Sequence, residues 1–452
     1  MLSSRSYLHA RVCLHGLAAR SSSSKASHAG RCCRGRYYHS APSHESRHGE
    51  VRPLHAVRND GPPLWYSTPE SKTDLRSLYP DEGTAKHDES DGLIHVDYNC
   101  IIGDDGETLQ EGLFRLLHSV FRDGAAIVST TPFSYQHRSE GSTSNNNNYN
   151  NTIKDAPQLI RALETMSEDD LPVSKVAKAM SGGSLSHGSL YGKTFHVRVG
   201  ERDGNNIAYT SAPLAPHMDL AYYESPPGMQ LLHCVSMGRA VVGGESTLID
   251  GMAAAHRLRE LRPESFETLA RCPATFVKQR DGAGMTYRRP HVGLSKEGVG
   301  SSETTTTTTT TTATGDREIH AVYWSPPFEG PVCLPPEKVD RYYEAYADFE
   351  CLLNGGDTGG VDGDLCRYAR EYTWERKLRP GDMLVFNNQR MLHGRRGFST
   401  PEGASFEDAQ RHLVGCYTNM DDTLNSYRVL LREKGAASTS ILNVGNGTNI
   451  VP

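Results

Sequence analysis

The sequence has no apolar run near the roughly 20 residues that a helix needs to cross a bilayer, so no helical membrane span is expected. It has no C-x-x-C pair. Its ten cysteines are scattered, and only Cys32 and Cys33 lie close together. That spacing excludes a zinc ribbon and a disulfide framework, and leaves free thiols in a reducing compartment as the expectation. Basic charge is not in excess either. A net charge of -6 gives no support to nucleic-acid binding, which shows as a basic patch or a high pI.

One absence is local. No acidic side chain precedes Glu45, while residues 1–44 carry Arg5, Arg11, Arg20, Lys25, Arg31, Arg34 and Arg36. Taking those seven charges from a net -6 would leave the rest of the chain at -13. An Arg-rich, Ser-rich, acid-free start without a continuous apolar stretch has the composition of a mitochondrial transit peptide and not of a secretory signal. Arg36-Tyr37-Tyr38 is similar to a matrix-protease site. A mitochondrial (matrix) location is therefore expected, with a disordered leader and a cytoplasmic protein as the alternative.

With 37% hydrophobic and 23% charged residues, the chain reads as soluble and globular. Its 452 residues exceed one compact core of ordinary size. The expected organisation is a leader at 1–44, a small N-terminal β module at 45–105, a catalytic domain at 106–437 and a disordered tail at 438–452. Within the main part, Leu109, Leu113, Leu116, Leu117 and Val120 recur at helical spacing, and Asp123-Gly124 can end that helix. Helical patterns also lie at about 253–270 and 337–354. Ala125–Ser129, Met229–Val235, Ser246–Ile249, Met383–Phe386 and His412–Tyr417 read as strands, with a turn signal at Pro380-Gly381-Asp382. Asn145–Asn151, Thr304–Thr312 and Gly355–Gly363 are low-complexity stretches that cannot bury a core, and read as surface loops. Many short strands with flanking helices fit a mainly β fold, a barrel-like sandwich with a helical layer.

Chemistry enters at Pro216-His217-Met218-Asp219. In a strand, residues i and i+2 face the same way, so His217 and Asp219 would present an imidazole and a carboxylate to one point. H-x-D alone is a common chance match, and a surface turn would also carry it. The later stretch Asn387–Arg395 follows a strand and offers His393 as a third ligand. Two histidines and one carboxylate make a facial triad, leaving open positions on iron(II) for a bidentate co-substrate and dioxygen. Beyond it lies Arg411. The far carboxylate of 2-oxoglutarate needs a permanent cation, and arginine binds carboxylates through paired hydrogen bonds. His233, His256 and His412 read as structural or solvated.

Residues from about 107 to 432 resemble the γ-butyrobetaine/trimethyllysine dioxygenase branch of the taurine-dioxygenase-like (TauD/TfdA) superfamily. The resemblance rests on Asn206–Thr210, Pro216–Asp219, Pro226–Cys234, Gly243–Gly251, Arg390–Arg395 and Arg411–Tyr417. It implies a double-stranded β-helix, or jelly roll, of the clavaminate synthase-like kind. It also implies iron(II) on His217, Asp219 and His393, with 2-oxoglutarate and O2 as co-substrates and ascorbate as reductant. Arg411, Ser246, Thr247 and Leu232 would bind 2-oxoglutarate. Tyr191, Phe195, Asn206, Tyr209 and Tyr417 would bind substrate, the aromatic ones as a cage for a quaternary ammonium, which ring faces hold by cation–π attraction. Ordinary core aromatics would look the same in sequence.

Departures from the family pattern bear on the substrate. Phe195 stands where tryptophan is usual. Asn206 matches the γ-butyrobetaine enzymes, whereas trimethyllysine enzymes usually carry aspartate there. The leader points the other way, towards trimethyllysine. Only Cys100 lies between Glu45 and Leu232, so the N-terminal zinc site of eukaryotic members is not expected. Tyr323–Phe328 differs from the family's asparagine-rich stretch, and the 17 residues between His393 and Arg411 imply a longer loop. The expected function is hydroxylation of γ-butyrobetaine to L-carnitine. The alternatives are a trimethyllysine hydroxylase, an oxygenase of another small carboxylate or amine, and an inactive metal-binding jelly roll. The expected partner is a small molecule, not a nucleic acid or a membrane, and the expected assembly is a homodimer.

Overall fold

The computed structural model describes residues 92–134, 156–183, 189–198, 210–280, 283–295, 317–354 and 363–434. The leader at 1–44, residues 45–91 of the expected small module, the tail at 438–452 and almost all of the low-complexity stretches lie outside those residues. The first strands are β1 (His95–Asp97), β2 (Ala125–Ser129), β3 (Thr194–Arg198), β4 (Leu214–His217) and β5 (Met229–Met237). Next come β6 (Val242–Gly243), β7 (Ser246–Asp250), β8 (Pro273–Arg280), β9 (Ala283–Pro290) and β10 (Val292–Leu294). Then follow β11 (Ile319–Val322), β12 (Thr373–Arg376), β13 (Met383–Asn387), β14 (Met391–Arg395), β15 (Phe398–Ser399) and β16 (Arg411–Thr418).

Two sheets organise the molecule. One has the order β1-β2-β13-β5-β16-β3, the other β12-β7-β14-β4. β1 and β2 run parallel, and the remaining pairs in both sheets are antiparallel. Neighbours in each sheet are far apart in sequence, which is the wiring of a double-stranded β-helix. The alternation of side chains explains the layers. In β13, Met383 and Val385 point to a helical layer, while Leu384 and Phe386 point between the sheets. In β5, Met229, Leu231 and Val235 face the helices, and Leu232 and Cys234 face inward. Leu248, Trp374 and Met391 of the smaller sheet meet them there. Both faces of these strands are covered, which is why they read as near-continuous apolar runs.

The helix Gly106–Asp123 buries Leu116, Leu117 and Val120 against the larger sheet. It ends at Gly124, where φ is 94° and the N–H returns to Val120 O. A side chain there would be strained, and glycine is not. The helical pattern expected at 253–270 is two helices, Gly251–Leu261 and Pro263–Arg271. Pro263 causes the break, because it has no N–H to donate and disfavours helical backbone at Arg262. With the helix Pro336–Asn354 they enclose a second core around Trp324, Tyr342 and Phe349.

Two expectations meet a different outcome or context. β1 falls in the stretch expected to be a small module, yet it pairs with β2 as the edge of the larger sheet. The expectation of free thiols throughout is corrected at one pair. Cys351 and Cys366 form a disulfide, with Cα atoms 4.8 Å apart. The helix Pro336–Asn354 and the short helix Gly363–Cys366 bring them together, which cysteine spacing alone does not reveal. Cys100, Cys234, Cys272, Cys333 and Cys416 are free.

Candidate metal centre

β14 pairs with β4 so that His393 stands directly opposite His217, with ring centres 4.2 Å apart. β4 stops at His217, so His217 and Asp219 do not share a strand as the i, i+2 argument expects. The backbone turns away instead. Met218 N–H donates to Trp324 O at 2.8 Å, and Leu220 has φ 60°, a left-handed value that costs energy for a leucine. Asn388 fixes the intervening peptide. Its Oδ1 accepts from Asp219 N at 3.0 Å, and its Nδ2 donates to Asp219 O at 3.1 Å and Pro227 O at 3.2 Å. The carboxylate thereby faces both imidazoles, with Oδ1 3.6 Å from His217 Nε2 and Oδ2 3.7 Å from His393 Nε2.

Those separations are too long for hydrogen bonds and leave room for an ion between the groups. The candidate ligand atoms of the three residues lie within 4.8 Å of one another. His217 Nδ1 sits 2.9 Å from Ala215 O, which suits an Nδ1–H donor and leaves the Nε2 lone pair facing the centre. Burial pushes the Asp219 carboxyl pKa up, but His393, His217 and the Tyr417 hydroxyl outweigh it and hold the group well below the usual carboxylate range. Burial also lowers His393 to about 3, so its imidazole is neutral. Two imidazole nitrogens and one carboxylate suit a divalent transition metal with open positions.

The cluster opens into a cavity of about 860 Å³, counted with the part open to solvent. Arg411 lines it and is buried. Its Nε has no hydrogen-bond partner, and among the described residues no carboxylate is in ion-pair reach of it. Phe398 lies near two guanidinium groups, Arg411 at 5.7 Å and Arg395 at 4.9 Å from the ring centre. Arg395 donates to Thr210 O and Ala212 O and also lines the cavity. Arg390 is spent elsewhere, on Asp250. Ser246 and Leu232 line the cavity and Thr247 does not. Alternation along β7 puts Thr247 on the other face, beside Gly394.

Of the expected cage, Tyr191, Phe195 and Tyr417 line the same cavity. Phe195 stacks on Tyr417 with ring centres 5.1 Å apart, and Tyr191 lies 6.5 Å from Phe195. Asn206 and Tyr209 lie outside the described residues. Pro327 and Phe328, from the stretch that departs from the family pattern, complete this side. A cation stands beside these rings, at the edge of the cavity and not among the residues that line it. Lys278 Nζ is 5.6 Å from the Tyr191 ring centre and 5.2 Å from that of Phe328. His233, His256 and His412 lie outside the metal cluster, and burial lowers all three, to about 3, 4 and 2.

Sequence reasoning missed Gln230, whose Nε2 donates to Asp219 Oδ2 at 2.8 Å. A signal existed, because Gln230 and Leu232 share one face of β5 by the period of two. Asn388 and Lys278 carried no such signal.

The profile described as "Taurine catabolism dioxygenase TauD, TfdA family" matches residues 158–417. Gamma-butyrobetaine dioxygenase of Homo sapiens is 30% identical over 258 residues, which cover 57% of this chain and 56% of that protein. "Trimethyllysine dioxygenase, mitochondrial" of Mus musculus is 27% identical over 248 residues, 55% of this chain and 49% of that protein. The chain thus spans about half the length of the curated relatives it matches. Among solved structures, an asparagine oxygenase in complex with Fe(II), 2S,3S-3-hydroxyasparagine and succinate superposes with a TM-score of 0.42 at 14% identity, over 70% of this chain and 80% of that one.

Proposed function

The chain belongs to the taurine catabolism dioxygenase TauD, TfdA family, and from that premise we propose that it is an iron(II)- and 2-oxoglutarate-dependent hydroxylase of a small trimethylammonium acid, γ-butyrobetaine first. The observation that carries the reading is one cavity holding both the His217, Asp219, His393 cluster and the buried Arg411 guanidinium, whose Nε has no hydrogen-bond partner and which has no carboxylate in ion-pair reach among the described residues. A buried cation with no counter-ion among the described residues suits an anionic ligand. In this reading the three residues hold iron, and Arg411 grips the distal carboxylate of 2-oxoglutarate beside Ser246 and Leu232. Bound iron with 2-oxoglutarate supplies the activation of dioxygen. The chain's own residues orient the substrate, keep water out and hold the ligands in place.

The stacked rings of Phe195 and Tyr417 support a cationic substrate, which ring faces attract without hydrogen bonds. One feature favours γ-butyrobetaine over trimethyllysine. Among the described residues Asp219 is the only carboxylate lining the cavity, and the metal would use it. Among those residues none is left for the amino group of an amino acid. Conversion to L-carnitine is the expected outcome. The composition of residues 1–44 supports a mitochondrial location.

The test is incubation of iron-loaded protein with 2-oxoglutarate and each trimethylammonium compound in turn. Succinate release coupled to hydroxylated γ-butyrobetaine is expected. Hydroxylation of trimethyllysine alone would exchange the substrate. Turnover of neither would end the trimethylammonium reading.

A further inference from the structure

Lys278 lies on β8, outside the two main sheets, and reaches the outer end of the aromatic wall. The wall begins at Tyr417, which touches Asp219, passes through Phe195 and ends at Tyr191. There the Lys278 ammonium donates to the Tyr191 hydroxyl at 3.3 Å and rests between the Tyr191 and Phe328 rings. It is half-buried, and among the described residues no carboxylate is within ion-pair reach of it. An ammonium has three N–H donors, and a single tyrosine hydroxyl satisfies one.

Two consequences follow for anything that enters. These ring faces already hold a positive charge, so a second cation would meet like-charge repulsion there. An anion would meet a preorganised ammonium whose desolvation is partly complete. We propose that Lys278 is the carboxylate anchor for the substrate. It seats the anionic end at the outer end of the wall, leaves Phe195 and Tyr417 to the other end, and so sets which carbon faces the metal centre. The proposal rests on the reading of this cavity as the chamber of a small acid.

The experiment compares binding to wild type, Lys278→Met and Lys278→Arg, each loaded with iron and 2-oxoglutarate without oxygen. The probes are γ-butyrobetaine, its primary amide and 5,5-dimethylhexanoate, the acid with carbon in place of the cationic nitrogen. Loss of a charge-assisted bond should weaken binding of γ-butyrobetaine to Lys278→Met by about ten- to a hundredfold and leave the amide within about twofold. Lys278→Arg should retain the preference for acid over amide. Unchanged acid binding in Lys278→Met would overturn the proposal. So would an equal loss for acid and amide, which marks a structural clip, or a wild type that binds neither acid. The third probe separates this inference from the reading beneath it. If 5,5-dimethylhexanoate binds as tightly as γ-butyrobetaine and loses as much in Lys278→Met, the anchor stands and the trimethylammonium reading falls.

Discussion

The Tyr417 hydroxyl donates a hydrogen bond of 2.8 Å to Asp219 Oδ2, the carboxylate oxygen that also faces His393 Nε2. One residue therefore touches a candidate metal ligand at its tip and stacks against Phe195 with its ring. Tyr417→Phe separates the two tasks. It keeps the ring and removes a hydrogen bond to a charged acceptor, worth about 1.5–3 kcal/mol. Iron affinity, measured by titration, should fall about tenfold or more, while the Michaelis constant for substrate stays nearly the same. Unchanged iron affinity would show that the hydroxyl does not support the carboxylate.

His217→Ala and Asp219→Ala should each abolish turnover with the fold retained, because two remaining ligands cannot hold iron in an open site. Circular dichroism and a thermal melt check the fold, and succinate release at saturating iron checks the activity. Substantial activity in either variant removes these residues from the metal centre.

Arg411→Ala should raise the Michaelis constant for 2-oxoglutarate by about ten- to a hundredfold, the equivalent of one lost charge-assisted pair. Arg395 borders the same cavity across Phe398. If Arg411→Ala leaves that constant unchanged, Arg395→Ala is the next variant to measure.

Stability of the metal-free protein should fall as the solution is acidified. Burial lowers His233 from 6.5 to about 3 and His291 from 6.5 to about 4. Between those values and 6.5 the unfolded chain binds protons that the folded chain refuses, so stability is fully present above about pH 6.5 and is lost as pH falls below it. The urea midpoint should be lower at about pH 5 than at about pH 7.5. Equal midpoints would mean that these imidazoles are not buried neutral in the folded state.

Much of the architecture was legible because its strands are covered on both faces. Ala125–Ser129, Ser246–Ile249 and Met383–Phe386 read as short apolar runs, and they form β2, β7 and β13. His217 and His393 were legible as chemistry, but their cross-strand pairing was not, since register depends on partners far along the chain. Asn388 was invisible for a related reason. It acts on the backbone of Asp219, 169 residues away, and a buried amide bridging peptide groups leaves no periodicity behind. Lys278 reads as one more charge in a polar hairpin until Tyr191 and Phe328 are seen on either side of it.

The Cys351–Cys366 bond closes a covalent ring around the Gly- and Asp-rich stretch that starts at Gly355. A protease that cuts anywhere between the two cysteines would leave both halves of the chain linked. Such a nicked molecule would run as one band on a gel without reductant and as two bands with it. Because β14 and β16 lie beyond the cut, the bond would keep His393 and Arg411 joined to the half that carries His217 and Asp219.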